Sequence, residues 1–491
     1  MNTFMHNLEN TTNYGYTENG AVKHNSTNSA IYDMFAFMGA YRKRRDEDCI
    51  LLFKNAFEED PLLALKCLFY GRDCRGGLGE RRFFRVCLRW LAEYNPKVVR
   101  RNLEHIPFFG RWDDLYILMD TPVEKDVFEL IKNQLILDMQ DCMKDKNTGI
   151  SLLGKWLKSE NASSAETKKL AKKTREALGM TARDYRKMLS RLRERIKVLE
   201  KLMSANRWEE IDFSKIPSKA GLIYRNAFAR RDIIAERYTS FARDKETKVN
   251  AATLYPYEVV KKALGLRYSY NLSNTDRLMV NKYWENLPDY LEGKDCKMMC
   301  VVDTSGSMVG TPMNVAISLG MYCAERLSGP FSNRYISFSR RPQLIKVEGI
   351  DFVDKVIRIY RTNLCENTNL NAVFDLLLNV ALDKNTRKED IPETIVVISD
   401  MEIDCGSNWM SKKAETEMEK MRTKWAAYGM AMPHLIYWNV DARHNTILDS
   451  GPNVTLVSGA SPVIFKSVLT GKNGYDLMLE AITADRYNVI K

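Results

Sequence analysis

Apolar residues in the first 290 positions of the chain recur mostly at helical spacing. Segments such as PLLALKCLFYG, ERRFFRVCLRWLAEY and VFELIKNQLILDMQDCM place an apolar side chain at every third or fourth position, which is the pattern of amphipathic helices. Short Gly, Pro or Asn stretches separate them, and no repeat of fixed length is visible. Many short helices joined by tight turns are typical of an irregular α-solenoid of the HEAT type. We therefore predict an all-α region over residues 30–293, preceded by an Asn- and Thr-rich flexible arm at residues 1–29.

The pattern changes after Gly293. Short β-branched runs (KMMCVVDTS, YISFS, TIVVISDM, HLIYWNV and VTLVSG) now alternate with amphipathic stretches at about 312–327, 370–382 and 411–428. Strands separated by helices of this length indicate a parallel sheet that is covered on both faces. Residues 294–491 are therefore predicted to form one α/β doubly wound, Rossmann-like domain, so that the chain as a whole is multidomain.

Oxygen-bearing side chains follow two of the predicted strands. MMCVVD ends in Asp303, with Ser305 and Ser307 on the loop after it, and TIVVIS is followed by Asp400. Between them, Thr368 precedes the predicted helix NLNAVFDLLL. Because ligands of open sheets collect at the carboxyl ends of the strands, we expect these side chains to meet. Two carboxylates and three hydroxyls suit a hard cation, Mg²⁺ first, with Mn²⁺ or Ca²⁺ as alternatives.

A purely structural role for the same residues is the alternative. Ser305 and Ser307 would then cap the helix that follows, and Asp303 would only form a turn. The order of Asp303, Thr368 and Asp400 along the chain favours the metal site. Without a cation, two aspartates that point into one cleft would repel each other.

These segments resemble a known metal site. VVDTSGSM, ENTNL and VVISDM are similar to the metal-ion-dependent adhesion site of von Willebrand A domains. The resemblance implies that the Asp and both Ser residues of DTSGS bind the cation directly, and that Thr368 and Asp400 act directly or through water. It also implies an open coordination position for an acidic residue of a partner protein. Asn367 stands where that family often has Gly, which leaves the shape of this loop in question.

The positive charge of the chain lies in its N-terminal part. The net charge is +11, but residues 294–491 hold 23 basic and 23 acidic residues, which leaves 51 basic and 40 acidic residues before them. Residues 166–201 alone contain thirteen Lys or Arg and five acidic residues. In a predicted helix over residues 185–203, the basic side chains that lie away from the apolar stripe are Arg186, Lys187, Arg191, Lys197 and Lys201. Such a face could follow the phosphates of a nucleic acid. A solvated helix face, a membrane surface and an acidic protein are the other interpretations.

Two glycine-containing motifs join predicted helices. RDCRGGLGERRFF has neither a preceding strand nor a following GK[ST], so it is interpreted as a tight turn rather than a nucleotide-binding loop. Arginines at the helix start could still meet a phosphate. IPFFGRWDDLYIL is interpreted in the same way, with its aromatic residues in the core.

The order of these parts resembles a family. RGGLGER, FFGRWDDL and a basic helical segment before an A-type domain are similar to the Ro autoantigen, or TROVE-module, proteins. They are closer still to uncharacterised Ro-like proteins of bacteria, large viruses and plants. The resemblance implies a ring of HEAT-like helices, closed by the A domain, that binds small structured Y RNAs and the single-stranded ends of misfolded RNA. The RNA-contacting residues of that family cannot be matched to this sequence one by one.

Other motifs are sparse. No apolar run approaches the roughly 20 residues of a membrane span, no secretory signal is visible, and the ten cysteines lack zinc-site spacing. These observations predict a cytoplasmic protein. The five histidines fit no catalytic pattern, so we do not expect an enzyme. An RNA-binding protein of Ro type is the first hypothesis. A metal-dependent protein-interaction scaffold and a metal-dependent hydrolase are the alternatives, and the oligomeric state stays open.

Overall fold

The chain begins, in its described part, with a small hairpin. A computed structural model describes residues 13–17, 20–144, 149–266, 274–294, 296–338, 342–362, 369–402, 416–449, 451, 453–467 and 472–491. Strands β1 (Tyr14–Tyr16) and β2 (Val22–His24) pair antiparallel, and His24 forms a β-bridge with Ile447. Lys23 Nζ donates to the backbone oxygen of Asn445 at 2.8 Å. The hairpin, which we expected to belong to a flexible arm, therefore contacts the C-terminal region through Lys23 and His24. The pairing could not be predicted because its partner lies more than 400 positions away.

The region after the hairpin is helical. Among the described residues from 30 to 290 there is no strand, and the α-helices are, in order, α1 Ala30–Phe37, α2 Asp46–Glu59, α3 Pro61–Arg72, α4 Arg81–Tyr94, α5 Pro96–Asn102, α6 Ile106–Phe109, α7 Glu124–Met143, α8 Leu153–Trp156, α9 Ala165–Ala177, α10 Ala182–Arg195, α11 Leu199–Ser204, α12 Ser218–Arg230, α13 Asp232–Arg243, α14 Pro256–Leu266 and α15 Asn274–Glu285. The prediction of a helical N-terminal region is confirmed. No helix in the described part is both long and apolar enough to cross a membrane.

The C-terminal region is an α/β domain around a six-stranded sheet. Its strands are β3 Met298–Asp303, β4 Arg334–Phe338, β5 Gln343–Lys346, β6 Thr394–Ser399, β7 His434–Asn439 and β8 Val454–Ser458. The helices are α16 Thr311–Arg326, α17 Phe352–Thr362, α18 Leu370–Ala381, α19 Glu417–Ala427 and α20 Gly474–Ile482. The predicted α/β class is confirmed, with one correction. The sheet is mixed, because β5 runs antiparallel to β4 at one edge.

The strand order places two loops side by side. The sheet runs β5-β4-β3-β6-β7-β8, and all neighbours from β4 to β8 are parallel. After β3 the chain continues to β4, on one side of the two central strands, and after β6 it continues to β7, on the other side. The carboxyl ends of these two central strands therefore form the switch point at which open α/β sheets bind ligands.

The predicted basic helix is interrupted. Helix α10 ends at Arg195, and α11 starts only at Leu199. Lys197 has a φ of +47°, and the backbone N–H of Val198 donates to the oxygen of Arg193 at 3.1 Å. This is the hydrogen-bond pattern of a helix end with one left-handed residue, a position that usually holds Gly. Because Lys197 occupies this position instead of Gly, the end of the helix could not be recognised from the sequence.

The start and the end of the helical region meet. Tyr255, just before α14, donates its hydroxyl to the backbone oxygen of Leu78 at 2.7 Å. The Arg42 guanidinium lies 5.8 Å from the Tyr255 ring centroid and is hydrogen-bonded to Glu80. Helix α14 also packs against α16 of the α/β domain. The buried apolar residues of both regions belong to one continuous core.

Candidate functional site

Asp303 is the last residue of β3 and is fully buried. Its Oδ2 accepts a hydrogen bond from Ser399 Oγ at 2.5 Å, and its Oδ1 accepts one from the backbone N–H of Ser305 at 2.9 Å. Burial raises the pKa of Asp303 to about 7, and the charge of Asp400 adds to this rise. The side chain is thus fixed at the switch point but is costly to ionise without a counter-charge.

Asp400 follows β6 and is also buried. Its Oδ1 accepts a hydrogen bond from the backbone N–H of Glu402 at 3.2 Å. Its Oδ2 is buried and has no hydrogen-bond partner among the residues that the structure describes. Burial raises the pKa of Asp400, whereas the nearby Ser307 hydroxyl and Arg443 guanidinium lower it. A buried oxygen without a hydrogen bond costs roughly 1–3 kcal/mol, and a cation beside Asp400 would reduce that cost.

The hydroxyls of Ser305 and Ser307 lie 3.0 Å apart. Neither of them caps a helix, because the short 3-10 turn Gly306–Met308 and helix α16 both begin without a side-chain hydrogen bond at the N-cap. Asp303, in contrast, does form the turn that the structural alternative expected, through the N–H of Ser305. Because neither hydroxyl is used to cap a helix, both remain beside Asp303 and Asp400.

Thr368 lies outside the described residues, as does Asn367. The next helix, α18, begins at Leu370, and Asn369 is its N-cap, with Oδ1 accepting from the N–H of Ala372 at 3.0 Å. The structure thus brings Asp303, Ser305, Ser307 and Asp400 to one place.

The rim of this site includes residues that sequence reasoning missed. Arg443 donates to the backbone oxygen of Ser307 at 2.7 Å, and its Nη2 lies 3.7 Å from Asp400 Oδ2. Glu402 is buried and lies 3.3 Å from both His444 Nδ1 and Thr446 Oγ1. Arg443, His444 and Thr446 follow β7, the strand next to β6. Their position after a strand neighbouring β6 is the one signal that could have pointed to them.

The four described residues of this site offer oxygen atoms as ligands to a metal ion. Within the described ranges, no group of three or more His, Cys, Asp or Glu side chains is placed to hold a metal ion. A cation at the switch point would therefore rely on the serine hydroxyls in addition to Asp303 and Asp400. Such a set suits Mg²⁺, which prefers oxygen ligands and keeps several waters.

The basic face of α10 is exposed. Arg186, Lys187, Arg191 and Lys197 form no ion pair within 4 Å among the described residues. Lys201 differs, because it is half-buried and donates to Ser190 Oγ at 2.8 Å. Four of the five basic residues singled out in the sequence are therefore available to an external partner. We call these four residues the α10 basic face.

Other cations of the basic stretch hold the fold together. Lys173 lies 2.6 Å from an oxygen of Asp120, and Arg175 lies 2.8 Å from one of Glu160. Arg193 donates to the backbone oxygens of Gly154 and Leu157, at 3.0 and 2.8 Å. The net charge of residues 166–201 thus overstates the number of cations that could meet a partner.

Both glycine-containing motifs are turns between helices, as interpreted. A Cβ on Gly77 would lie 2.0 Å from the backbone oxygen of Tyr70, so no side chain fits there. In the second motif, buried Asp114 accepts hydrogen bonds from Arg72 at 2.7 and 2.9 Å. One expectation was wrong: Phe109 is in the core, but Phe108 is 51% exposed. Phe108 is exposed because its neighbour Phe109 takes the inward position of the short helix α6.

Two family models cover nearly the whole chain. A domain of unknown function, DUF2828, matches residues 17–148 and 140–295, which is more than half of the sequence. The chain belongs to the DUF2828 family. A second domain of unknown function, DUF7788, matches residues 297–487 and so covers the α/β region of this DUF2828 protein. Neither description mentions a Ro, TROVE or von Willebrand A protein, so that finer relation stays a proposal.

A viral protein is similar to this DUF2828 member over most of its length. Uncharacterized protein L728 of Acanthamoeba polyphaga mimivirus is 29% identical over 507 residues, covering 94% of the chain and 85% of the viral protein. A relative in a large virus agrees with one of the groups expected from the sequence. Its description assigns no function that could be compared.

Proposed function

We propose that this protein binds RNA through the α10 basic face and holds a divalent cation at its Asp303–Asp400 pair. The observation that carries the RNA proposal is that four exposed cations on and next to one helix have no intramolecular ion-pair partner in the described part of the chain. Elsewhere in the helical region many arginines are paired, for example Arg207 with Glu210 and Arg100 with Asp126. Unpaired cations on one face attract phosphates, which occur at regular spacing in a nucleic acid.

The path of the helices supports a ring of Ro type. Neighbouring helices pack on one another at both ends of this region, from α1 to α5 and in the pairs α12–α13 and α14–α15. The contact between Tyr255 and Leu78 joins the residue before α14 to the turn after α3. The α/β domain packs on both ends of the path, with β8 against α1 and α16 against α14. A helical array that closes in this way has the order of parts that the Ro resemblance implies.

The cation proposal rests on the pair of buried aspartates. Asp303, Asp400, Ser305 and Ser307 would hold the ion, and Mg²⁺ or Mn²⁺ would supply the counter-charge that the buried carboxylates need. The position of these residues at the switch point agrees with the metal site that the resemblance to A-type domains implies.

The RNA proposal is tested by charge reversal. The triple variant Arg186→Glu, Lys187→Glu and Arg191→Glu should bind a structured RNA hairpin at least tenfold more weakly than the wild type, as measured by fluorescence anisotropy at several salt concentrations. The slope of log affinity against log salt should fall by about one for each phosphate that the variant no longer binds. The weakening should be similar for unrelated hairpins, because phosphate contacts carry little sequence information.

A matched variant controls for net charge. Lys346→Glu, Lys384→Glu and Lys388→Glu reverses three exposed charges in the α/β domain and should leave RNA affinity within about twofold of wild type. Equal weakening in both triple variants would show that only the net charge matters. Wild-type protein that binds no RNA at low salt would contradict the proposal outright.

A metal-dependent protein scaffold is the second candidate. It is favoured by Asp400 Oδ2, which has no hydrogen bond in the described site, and by Arg443, whose side chain is 40% exposed and lies 3.7 Å from that oxygen. A cation flanked by an arginine would suit an acidic side chain of a partner protein. This function predicts a pull-down that needs Mg²⁺ and is abolished by Asp303→Ala. The hydrolase hypothesis stays a prediction that nucleotide or phosphate release would test.

A further inference from the structure

Strand β5 lies at one edge of the sheet, and its outer side is open. The backbone N–H of Val347, just after β5, donates to the oxygen of Asn333 at 2.9 Å, so Val347 faces β4. Backbone groups of successive residues in an antiparallel pair point to opposite sides, so those of Lys346 and Glu348 point away from β4. In the described part of the chain these outward groups have no hydrogen-bond partner.

The other edge of the sheet is covered. The backbone N–H of Leu456 in β8 donates to the hydroxyl of Tyr32, and helix α1, which carries Tyr32, packs against β8. Folded proteins usually cover an edge strand in this way, because an open edge accepts a further strand. Strand β5 is not covered, since three of its four residues are exposed. Beside its end, an open groove extends between residues 332–334 and Lys355 of α17.

Both apolar and charged side chains follow this open edge. Leu344 is 54% exposed, and Ile350, in the bend before α17, is 90% exposed. Lys346 and Glu348 are 59% and 69% exposed, and their charged atoms lie 3.8 Å apart. Because side chains two positions apart in a strand share a face, Leu344, Lys346 and Glu348 form one row. A strand laid along β5 would therefore meet a cation, an anion and apolar surface.

The order of the charges suits a second copy of this chain. When two copies of β5 run antiparallel around a twofold axis, each Lys346 can lie opposite Glu348 of the other copy, so the pair occurs twice. Opposite charges that face each other across a strand pair stabilise it, and like charges destabilise it. In the same register Leu344 lies next to Ile350 of the second copy, and the outward backbone groups of the two chains bind each other.

A lysine on an edge strand can also have the opposite effect, because it often keeps other strands away. An unrelated strand would need an acidic residue at the one position that faces Lys346. A second copy supplies this residue by symmetry, since Glu348 follows two positions after Lys346. The charges therefore favour a second copy over an extended segment of another protein.

We propose that β5 pairs antiparallel with β5 of a second copy and joins the two six-stranded sheets into one. This interface is separate from the RNA and metal sites proposed above. The paired segment is short, so the dimer forms reversibly, with a dissociation constant of about 1–100 µM. At the nanomolar concentrations of an anisotropy assay the chain is then monomeric, and Lys346→Glu in the charge-control variant does not disturb that assay.

Sedimentation equilibrium over a concentration series that spans this range tests the proposal. Wild-type protein should change from monomer to dimer. Lys346→Glu and Glu348→Lys should each weaken the dimer by about tenfold, because each places like charges opposite each other at both pairs. The double variant restores opposite charges and should dimerise within about threefold of the wild type. Lys384→Glu, which reverses an exposed charge elsewhere in the α/β domain, should leave the dimer unchanged.

Three outcomes would overturn the proposal. Wild-type protein that stays monomeric throughout the series excludes self-pairing and leaves β5 to an extended segment of another protein. A dimer that both single variants leave intact has its interface elsewhere. A double variant that does not recover shows that Lys346 and Glu348 do not face each other. If a charge variant fails to fold, Ile350→Asp decides, because a charge beside Leu344 of the second copy should weaken the dimer and an unchanged dimer contradicts the pairing.

Discussion

Asp303 and Asp400 place two carboxylates in one buried space between β3 and β6. Both have a raised pKa, and burial is the largest cause in each case. For an acid, a raised pKa means that the folded chain binds the proton more tightly than the unfolded chain does. In the absence of metal, the contribution of Asp303 to stability is fully present below about pH 4 and is lost as the pH rises to about 7.

This sign gives a testable pH dependence. In EDTA, the free energy of unfolding of the wild type should fall relative to that of Asp303→Asn between pH 4 and pH 7, by up to about 4 kcal/mol, since one pKa unit corresponds to roughly 1.4 kcal/mol. Mg²⁺ or Mn²⁺ should offset this decrease, because it binds the ionised carboxylates. A hundredfold excess over the dissociation constant adds ~2.7 kcal/mol.

The melting temperature is the measurement. The rise produced by Mg²⁺ should be larger at pH 8 than at pH 5.5, and Asp303→Ala should abolish it. A melting curve that does not change across millimolar Mg²⁺ and Mn²⁺ at pH 8 would show that the site holds no cation.

Part of this site could be predicted from residue types alone. An aspartate at or just after the end of each of two apolar strands predicts convergence, because parallel strands end at the same edge of a sheet. Arg443 was missed, because its position after β7 was the one signal and a loop arginine gives no further sign of what it faces. The contribution of Thr368 stays a prediction, because that residue lies outside the described part of the chain.

At the level of elements, strands and helices with a strong hydrophobic pattern could be predicted from the sequence, and those with a weak pattern could not. The five longer strands are mostly buried in their described side chains and are rich in β-branched or aromatic residues, and all five were predicted. Strand β5 was missed because it has four residues, three of them exposed, at the edge of the sheet. The end of α10 was missed because the left-handed position is filled by Lys197.

Gly39, just after α1, packs closely against Ser458 of β8, and a substitution can test this contact. A Cβ on Gly39 would lie 2.5 Å from the backbone oxygen of Ser458 and 2.6 Å from its carbonyl carbon. Because backbone atoms cannot move aside cheaply, Gly39→Ala should destabilise the protein by roughly 1–3 kcal/mol. Gly265→Ala is the matched control. Its new Cβ meets nothing within 4 Å in a helix, so it should be neutral or stabilising by up to about 1 kcal/mol.

Urea denaturation measures both changes. Equal stability of Gly39→Ala and the wild type would show that α1 and the turn after it do not press against β8 in solution. A large destabilisation in Gly265→Ala would instead indicate that α14 packs more closely than the structure shows.

At the scale of the whole molecule, the two regions are joined at several places. Asp73, in the turn after α3, is hydrogen-bonded to Arg486 and to the Tyr487 hydroxyl. Arg277 of α15 binds Asp351, with Nε 2.6 Å from Oδ2. These pairs join residues 74 to 414 positions apart, so neither periodicity nor composition could have predicted them. They hold the α/β domain against both ends of the helical path.

Ultraviolet cross-linking, followed by peptide mapping, tests the central claim most directly. Wild-type protein is irradiated with a hairpin RNA that carries a single-stranded extension, and the cross-linked peptides are identified by mass spectrometry. Binding at the α10 basic face predicts cross-links within residues 182–200, with the same peptides recovered in EDTA and in Asp303→Ala. Cross-links confined to the α/β domain, or absent when the metal site is disabled, would contradict it.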